Sequence, residues 1–339
     1  MGLIRKQARF PAGSRQCHEW CAEPEIAVQL EWKPDVRYPH RLRRLDVLKI
    51  AATSAVSIFL LSTFAPAFDG AADIRYQADS LRPLNMPPTF DHGYLAIYER
   101  GGIGIYAPSG SLQCRIPSPK QGSITSVAID SDGTIAAAAS FGNAAAVWLW
   151  NSGGSNIRVI NTAEYSPSYV AFAPDGSLWM TGTHGRQTGP ATNDYPILRH
   201  FSREGELLGA YLRRSSFRTE REPAECITAL PAIRVANGRI GMYFPGGSKN
   251  QRVWVEADLN GKELGRWLVN IDGYPAAVTE TGAVYTRGIG GIHLLDRATG
   301  KWTPVSIAPL GDLVGAEGES LVFADPSSPH VYRTATTVR

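Results

Sequence analysis

Six side chains stand out by type and by place: Glu99, Arg100, His184, Arg186, Arg287 and Asp325. Each follows the end of a short apolar run and precedes a turn or loop. Guanidinium groups grip carboxylates and phosphates through paired N–H donors. Carboxylates accept from sugar hydroxyls, and an imidazole can do either job. Converging at one place, these residues would bind a small anionic or sugar-like ligand, or a protein partner. They form no nucleophile–base pair at a recognisable spacing, so no catalytic residue is assigned.

Other chemistry is poorly represented. GxSxG, HExxH and phosphate-loop patterns do not occur. "GGIGIY" at 101–106 and "GIGGI" at 288–292 lie between strand-like runs, with no helix after them to receive a dinucleotide. Cys17-His18-x-x-Cys21 resembles half a metal site, but no second pair follows at zinc-site spacing. No metal or other cofactor is expected. A net charge of +3 without a long basic run argues against a nucleic-acid partner.

The elements that must position the six residues are marked by glycine. One series is Gly93, Gly133, Gly176, Gly238, Gly282 and Gly318, at intervals of 40, 43, 62, 44 and 36 residues. Several of these glycines follow Asp, Asn or His between apolar runs, a hairpin signal. A second series, Gly110, Gly154, Gly205, Gly261 and Gly300, runs out of phase with the first. Each unit therefore reads strand, turn, strand, loop, strand, turn, strand. Four antiparallel strands per ~40 residues make one blade of a β-propeller.

Six inner strands are expected near Asn85–Phe90, Ile124–Ile129, Ser168–Ala173, Leu230–Val235, Pro275–Thr279 and Asp312–Gly315. The alanine run at 136–139 suits a strand where neighbouring blades crowd together. The last unit lacks a fourth strand, and an open sheet edge is a liability. "DIRYQADS", Asp73–Ser80, is expected to pair beside His330–Thr337 and close the ring. Trp148, Trp150, Trp179, Trp254, Trp267 and Trp302 fall in strands and are expected to pack between blades. The fold class is thus all-β, a six-bladed propeller over residues 73–337.

"SVAIDSDGTIAAAASFGNAAAVWLWNSGGSN" and "YVAFAPDGSLWMTGTHG" resemble NHL-type repeats and, more distantly, gluconolactonase-like six-bladed propellers. The resemblance covers roughly residues 85–335 and implies the scaffold. NHL units typically carry Asp at the end of the second strand, and Asp325 alone matches. The equivalent places read Tyr98-Glu99, Ser140, Thr183 and Arg287. The Glu, Asn and Asp metal ligands of gluconolactonase-like enzymes have no matching motif here. The resemblance leaves two readings: a binding module, or a lactonase-like hydrolase or lyase with a metal in the central funnel. A cluster of carboxylate, Asn or His side chains at the funnel mouth would favour the enzyme. A mixed mouth would favour the binding module.

In a propeller, ligands usually meet loops from second to third strand and from fourth strand to the next blade, where the six residues fall. Two long insertions enlarge this rim: "HGRQTGPATNDYP" at 184–196 and "RRSSFRTEREPAECI" at 213–227.

Ahead of the propeller, Ile50–Phe68 carries no charge over 19 residues. As a helix at ~1.5 Å per residue it would span roughly 28 Å, close to the hydrocarbon core of a bilayer. Arg37, Arg41, Arg43, Arg44 and Lys49 precede it, and Asp69 and Asp73 follow. Basic flanks stay inside, so the propeller is expected outside the cytoplasm. Residues 49–70 would be a transmembrane signal anchor, or a signal peptide cleaved near Ala65-Pro66-Ala67 or Gly70-Ala71-Ala72. Residues 1–48 mix Arg, Pro and Trp without periodicity and read as a basic, poorly ordered tail.

Overall fold

The structure is a computed structural model. It describes residues 72–81, 88–99, 101–118, 123–141, 144–162, 164–184, 194–217, 233–245, 252–271, 276–307 and 309–335. All belong to one unit that begins at Phe68. The expectations for 1–48 and for the apolar run Ile50–Phe68 lie outside the described residues. Among the described residues no helix is long and apolar enough to cross a membrane.

The chain opens with β1 (Ala72–Arg75). Blade 1 is β2 (Thr89–Asp91), β3 (Tyr94–Glu99), β4 (Gly102–Tyr106) and β5 (Leu112–Pro117). Blade 2 is β6 (Ser123–Ile129), β7 (Ile135–Phe141), β8 (Ala144–Trp150) and β9 (Asn156–Asn161). Blade 3 is β10 (Tyr165–Phe172), β11 (Leu178–His184), β12 (Pro196–Phe201) and β13 (Leu207–Arg213), followed by a 3-10 turn at Arg214–Phe217. Blade 4 is β14 (Ile233–Ala236), β15 (Arg239–Pro245), β16 (Arg252–Asp258) and β17 (Glu263–Val269). Blade 5 is β18 (Ala276–Val278), β19 (Val284–Gly288), β20 (Gly291–Asp296) and β21 (Lys301–Val305). Blade 6 is β22 (Asp312–Glu317), β23 (Ser320–Ala324) and β24 (His330–Ala335), completed by β1.

The protein is therefore an all-β six-bladed propeller of four-stranded antiparallel sheets. The expected closure holds: Ala72 to Arg75 pair with Arg333 to His330. Tyr76 continues the seam by donating its N–H to Pro329 O at 2.8 Å.

The glycine series mark the two sets of hairpin turns, those joining strands one and two and those joining strands three and four. Gly133 and Gly176 have φ of +80° and +79°. Gly176 N–H donates to Ala173 O, and Ala173 N–H to Ser177 O, each at 2.9 Å. That is a three-residue loop ending in a left-handed glycine.

Packing between blades explains the near-continuous apolar strands. Successive residues of a strand point to opposite faces, and here both faces are covered. On β7, Ile135 and Ala137 pack toward blade 1, against Ile103 and Ile105. Ala136 and Ala138 pack toward blade 3, against Val170, Leu178 and Met180. Alanine suits both sides because the blades approach closely near the axis. The tryptophans behave as expected: Trp150, Trp179, Trp254 and Trp302 are buried within these layers.

Neighbouring blades are stitched to one another around the ring. Asp91 of blade 1 accepts from Ile129 N–H of blade 2 at 3.3 Å. Arg203 of blade 3 pairs with Asp132 of blade 2 at 2.7 Å. Arg266 of blade 4 donates to Ser216 O after blade 3 at 2.8 Å. Asn237 of blade 4 donates to Thr281 O of blade 5 at 2.7 Å. Thr281 N–H reaches Glu319 of blade 6 at 3.0 Å. Gln77, past β1, donates its N–H to Gly110 O of blade 1 at 2.9 Å and completes the circuit.

Candidate functional site

The antiparallel order sends every second strand away from the turn side. Glu99, His184, Arg287 and Asp325 therefore all come to the opposite face, at or just beyond the ends of β3, β11, β19 and β23. Arg100 and Arg186 lie outside the described residues, as do 185–193 and 218–232, the greater part of the two insertions.

The four described residues share a face, yet each is occupied by its own neighbours. Glu99 accepts from Tyr106 Oη at 2.5 Å and from Arg115 Nε at 2.9 Å. Burial and the Glu99 bond together push the Tyr106 phenol far up. His184 stacks on Tyr195, with ring centres 5.9 Å apart, and its Nε2 lies 3.9 Å from Glu164. Arg287 donates from Nη1 to Asp312 at 2.6 Å and to Gly311 O at 2.5 Å. Asp325 accepts from Ser327 N–H at 2.8 Å and from the Ser327 and Ser328 hydroxyls at 2.7 Å. Those bonds hold its carboxyl below the usual range. No hydrogen bond or ion pair among the described residues joins any two of the four.

A different group converges at the turn-side end of the channel. There a cavity of about 60 Å³ is lined by the first strands of all six blades. Its lining includes Phe90, Val127, Val170, Phe172, Ile233 and Val235, but the surface it presents is more polar than apolar. Its charged members are Asp91, His92 and Arg234.

Local sequence explains these positions. His92 and Gly93 form the two-residue turn of the first hairpin, with φ of +47° and +82°. A histidine in the left-handed region is uncommon and worth attention. From there its Nδ1 lies 2.8 Å from Ile129 O and 3.2 Å from Asp91 Oδ1. The bond to Asp91 pushes the imidazole up to about 9, against the opposing effect of burial. Asp91 and His92 thus clasp both ends of the Ile129 residue on the next blade. Arg234, on β14, is held among the inner strands. Burial lowers its pKa, and the Asp91 charge opposes that shift. Nη1 donates to Ile233 O at 3.2 Å. Among the described residues its guanidinium belongs to no ion pair.

Beside this cavity, Arg234 also borders a smaller one of about 10 Å³ that reaches Glu256. Glu256 is buried, with 2 % of its side chain exposed. Arg297 donates to it from Nε and Nη2 at 2.7–3.1 Å, Arg239 at 2.9 Å, and Trp254 Nε1 at 3.0 Å. Burial works against its charge, but the Arg297 and Trp254 bonds prevail and keep its pKa below the ordinary value.

One apparent nucleophile–base pair dissolves on inspection. His200 Nε2 lies 2.7 Å from Ser177 Oγ, and Ser177 Oγ lies 2.5 Å from Asp175. The hydroxyl has one proton, and it goes to the carboxylate. His200 must then donate its own Nε2–H to the serine, so the imidazole has no lone pair facing Oγ. Ser177 is buried, and His200 is stacked on Trp179 at 4.1 Å. The group fixes the blade 3 turn.

The metal implied by the gluconolactonase-like resemblance does not fit the channel end. Two cationic side chains stand there against one carboxylate, a donor set that repels a divalent cation. Among the described residues no three His, Cys, Asp or Glu side chains are placed to hold a metal.

Asp91, His92 and Arg234 were not singled out by sequence reasoning. In sequence these positions stand near Gly93 and Gly238, whose turn signal is the more conspicuous feature. The available signal was a charged residue within, or directly ending, an innermost strand of otherwise apolar character.

No protein-family model matches the sequence, and no curated protein matches it. Solved structures do match. A putative gluconolactonase shares 16% identity over 81% of this chain and 94% of its own, at a TM-score of 0.49. A gluconolactonase from Xanthomonas campestris shares 14% over 78% and 88%, also at 0.49. The Pan2 WD40 domain of Neurospora crassa shares 11% over 74% and 75%, at 0.47. At these identities the likeness concerns the fold alone.

Proposed function

We propose that the chain is a propeller binding module of the cell envelope, anchored or exported through Ile50–Phe68. The observation that carries the binding reading is the turn-side channel mouth. Its mixed lining of apolar side chains with Arg234, Asp91 and His92 is suited to holding a ligand. A water-activating metal centre would instead need convergent carboxylates and a vacant coordination position. Glu99, Arg100, His184, Arg186, Arg287 and Asp325 remain a candidate second surface, on the opposite face, for a protein or a sugar-like ligand. The apolar run with its basic flank supports the envelope placement.

The test is equilibrium binding to the full chain in detergent. Small carboxylates, sugars and short peptides are screened by ligand-observed NMR. Saturable binding of at least one class is expected. A chain that binds no member of any class contradicts the reading.

A further inference from the structure

The binding reading can be taken one step further, to the chemistry of the ligand at the channel mouth. The first strand of each sheet has one strand partner only. Its other edge faces the channel and carries backbone N–H and C=O groups outside the ladder. Some are already used: Asp91 and His92 take the Ile129 peptide groups, and Ser126 Oγ takes Val170 N–H at 3.3 Å.

Charge is the second constraint. Asp91 and His92 satisfy each other. Arg234 is left with a carbonyl of its own strand as its hydrogen-bond partner in the cavity. A guanidinium carries five N–H donors and stays charged even where burial opposes it. Arg234 is half-buried, and a charge partly withdrawn from water gains from being paired. Two cations against one carboxylate leave one positive charge in excess among the charged residues that line the recess.

Size is the third. A single water fits in about 10–15 Å³ of such cavity space. A recess of about 60 Å³ therefore has room for a small anion of a few heavy atoms.

We propose that this recess binds a small monoanionic carboxylate, with Arg234 as its ion-pair donor. The planar carboxylate matches the guanidinium fork with two parallel bonds. One negative charge cancels the excess. A dianion would overcompensate the single excess charge, and a halide would not use the fork.

The experiment titrates acetate, its neutral isostere acetamide, and sulfate into the full chain and into Arg234→Gln and Arg234→Lys. Binding is read by NMR saturation transfer, and folding by circular dichroism and thermal midpoint without ligand. Acetate should bind the wild type at least tenfold more tightly than acetamide or sulfate. Arg234→Gln should raise the acetate Kd at least tenfold with an unchanged or higher ligand-free midpoint. Arg234→Lys should fall between the two. Acetamide binding as tightly as acetate, or sulfate binding more tightly, overturns the carboxylate assignment while leaving a working recess. Acetate binding that Arg234→Gln does not weaken overturns the site. No acetate binding, beside a positive result with sugars or peptides, overturns this inference and leaves the binding-module reading standing.

Discussion

His330 Nδ1 lies 2.9 Å from Asp73 Oδ1, across the seam where the first strand of the described chain meets the last. The two residues are 257 positions apart in sequence, so the ring is closed by a single pairing of its two ends. Both side chains are partly exposed, and such a pair contributes about 0–1 kcal/mol. The backbone ladder and the packing of Ile74 against the core hold the seam. Ile74→Pro should therefore cost about 2–3 kcal/mol, through lost bonds and apolar contact. Asp73→Asn should cost less than about 1 kcal/mol. Urea unfolding of both variants checks the order; equal losses would mean the ion pair matters as much as the strand.

His92 predicts a pH dependence of defined sign. Its folded value of about 9 stands above the ordinary 6.5. A raised value stabilises the fold below the unfolded pKa, and that contribution is lost as pH rises through the folded one. Between pH 6.5 and about 9 the wild type should lose stability relative to His92→Asn, which tolerates the left-handed turn but cannot carry the charge. Thermal midpoints across pH 6 to 10 give the difference. A gap that stays constant removes the charge from the account.

Glu256 should behave in the opposite sense. Its lowered pKa means stability that is present above the ordinary carboxylate value and lost as pH falls through the folded one. Glu256→Gln leaves Arg297 and Arg239 beside a neutral group. Since both arginines keep partial exposure, the expected loss is about 3 kcal/mol, the low end for a broken buried pair. Chemical unfolding at neutral pH measures it.

The turn glycines give a steric prediction. A Cβ at Gly133 would sit 3.0 Å from Ser152 Cβ and 3.3 Å from the Tyr94 hydroxyl, while one at Gly176 would meet nothing nearer than Arg203 Nη1 at 3.4 Å. Both positions have positive φ, so valine should cost about 1–3 kcal/mol at each. Gly133→Val should lie at the upper end and Gly176→Val at the lower. Thermal melts resolve the two.

Topology across the membrane is open to a reporter. A fusion active only in the cytoplasm, attached after Arg339, should be silent if Ile50–Phe68 enters with its basic flank held back. Strong cytoplasmic signal from the full chain contradicts the envelope placement.

The fold was legible because turn chemistry is local. Gly133 or Gly176 needs only its own loop to announce a hairpin, and the repeat of such signals fixes blade number. The closing strand was legible through a deficit, since the blade ending at Ala335 needed a partner that Asp73 and its neighbours could supply. Boundaries drifted where neighbouring strands decide pairing: the first inner strand runs Thr89–Asp91, and the third begins at Tyr165. The site was harder. Glu99 and Arg287 both stand at the ends of second strands, but nothing in sequence reveals that Tyr106, Arg115 and Asp312 already occupy them. Arg234 meets Asp91 and His92 only because the ring brings blade 4 round to face blade 1. That convergence belongs to the closed ring and has no local signature.

A binding recess at the channel mouth and a hydrolytic metal centre differ in one direct consequence, catalysis. The direct measurement is turnover of simple lactones by the purified full chain, with calcium, zinc or manganese supplied in excess. Hydrolysis at the uncatalysed rate under every metal is the predicted result. Metal-dependent turnover that saturates with lactone would contradict the binding-module reading and restore the enzyme.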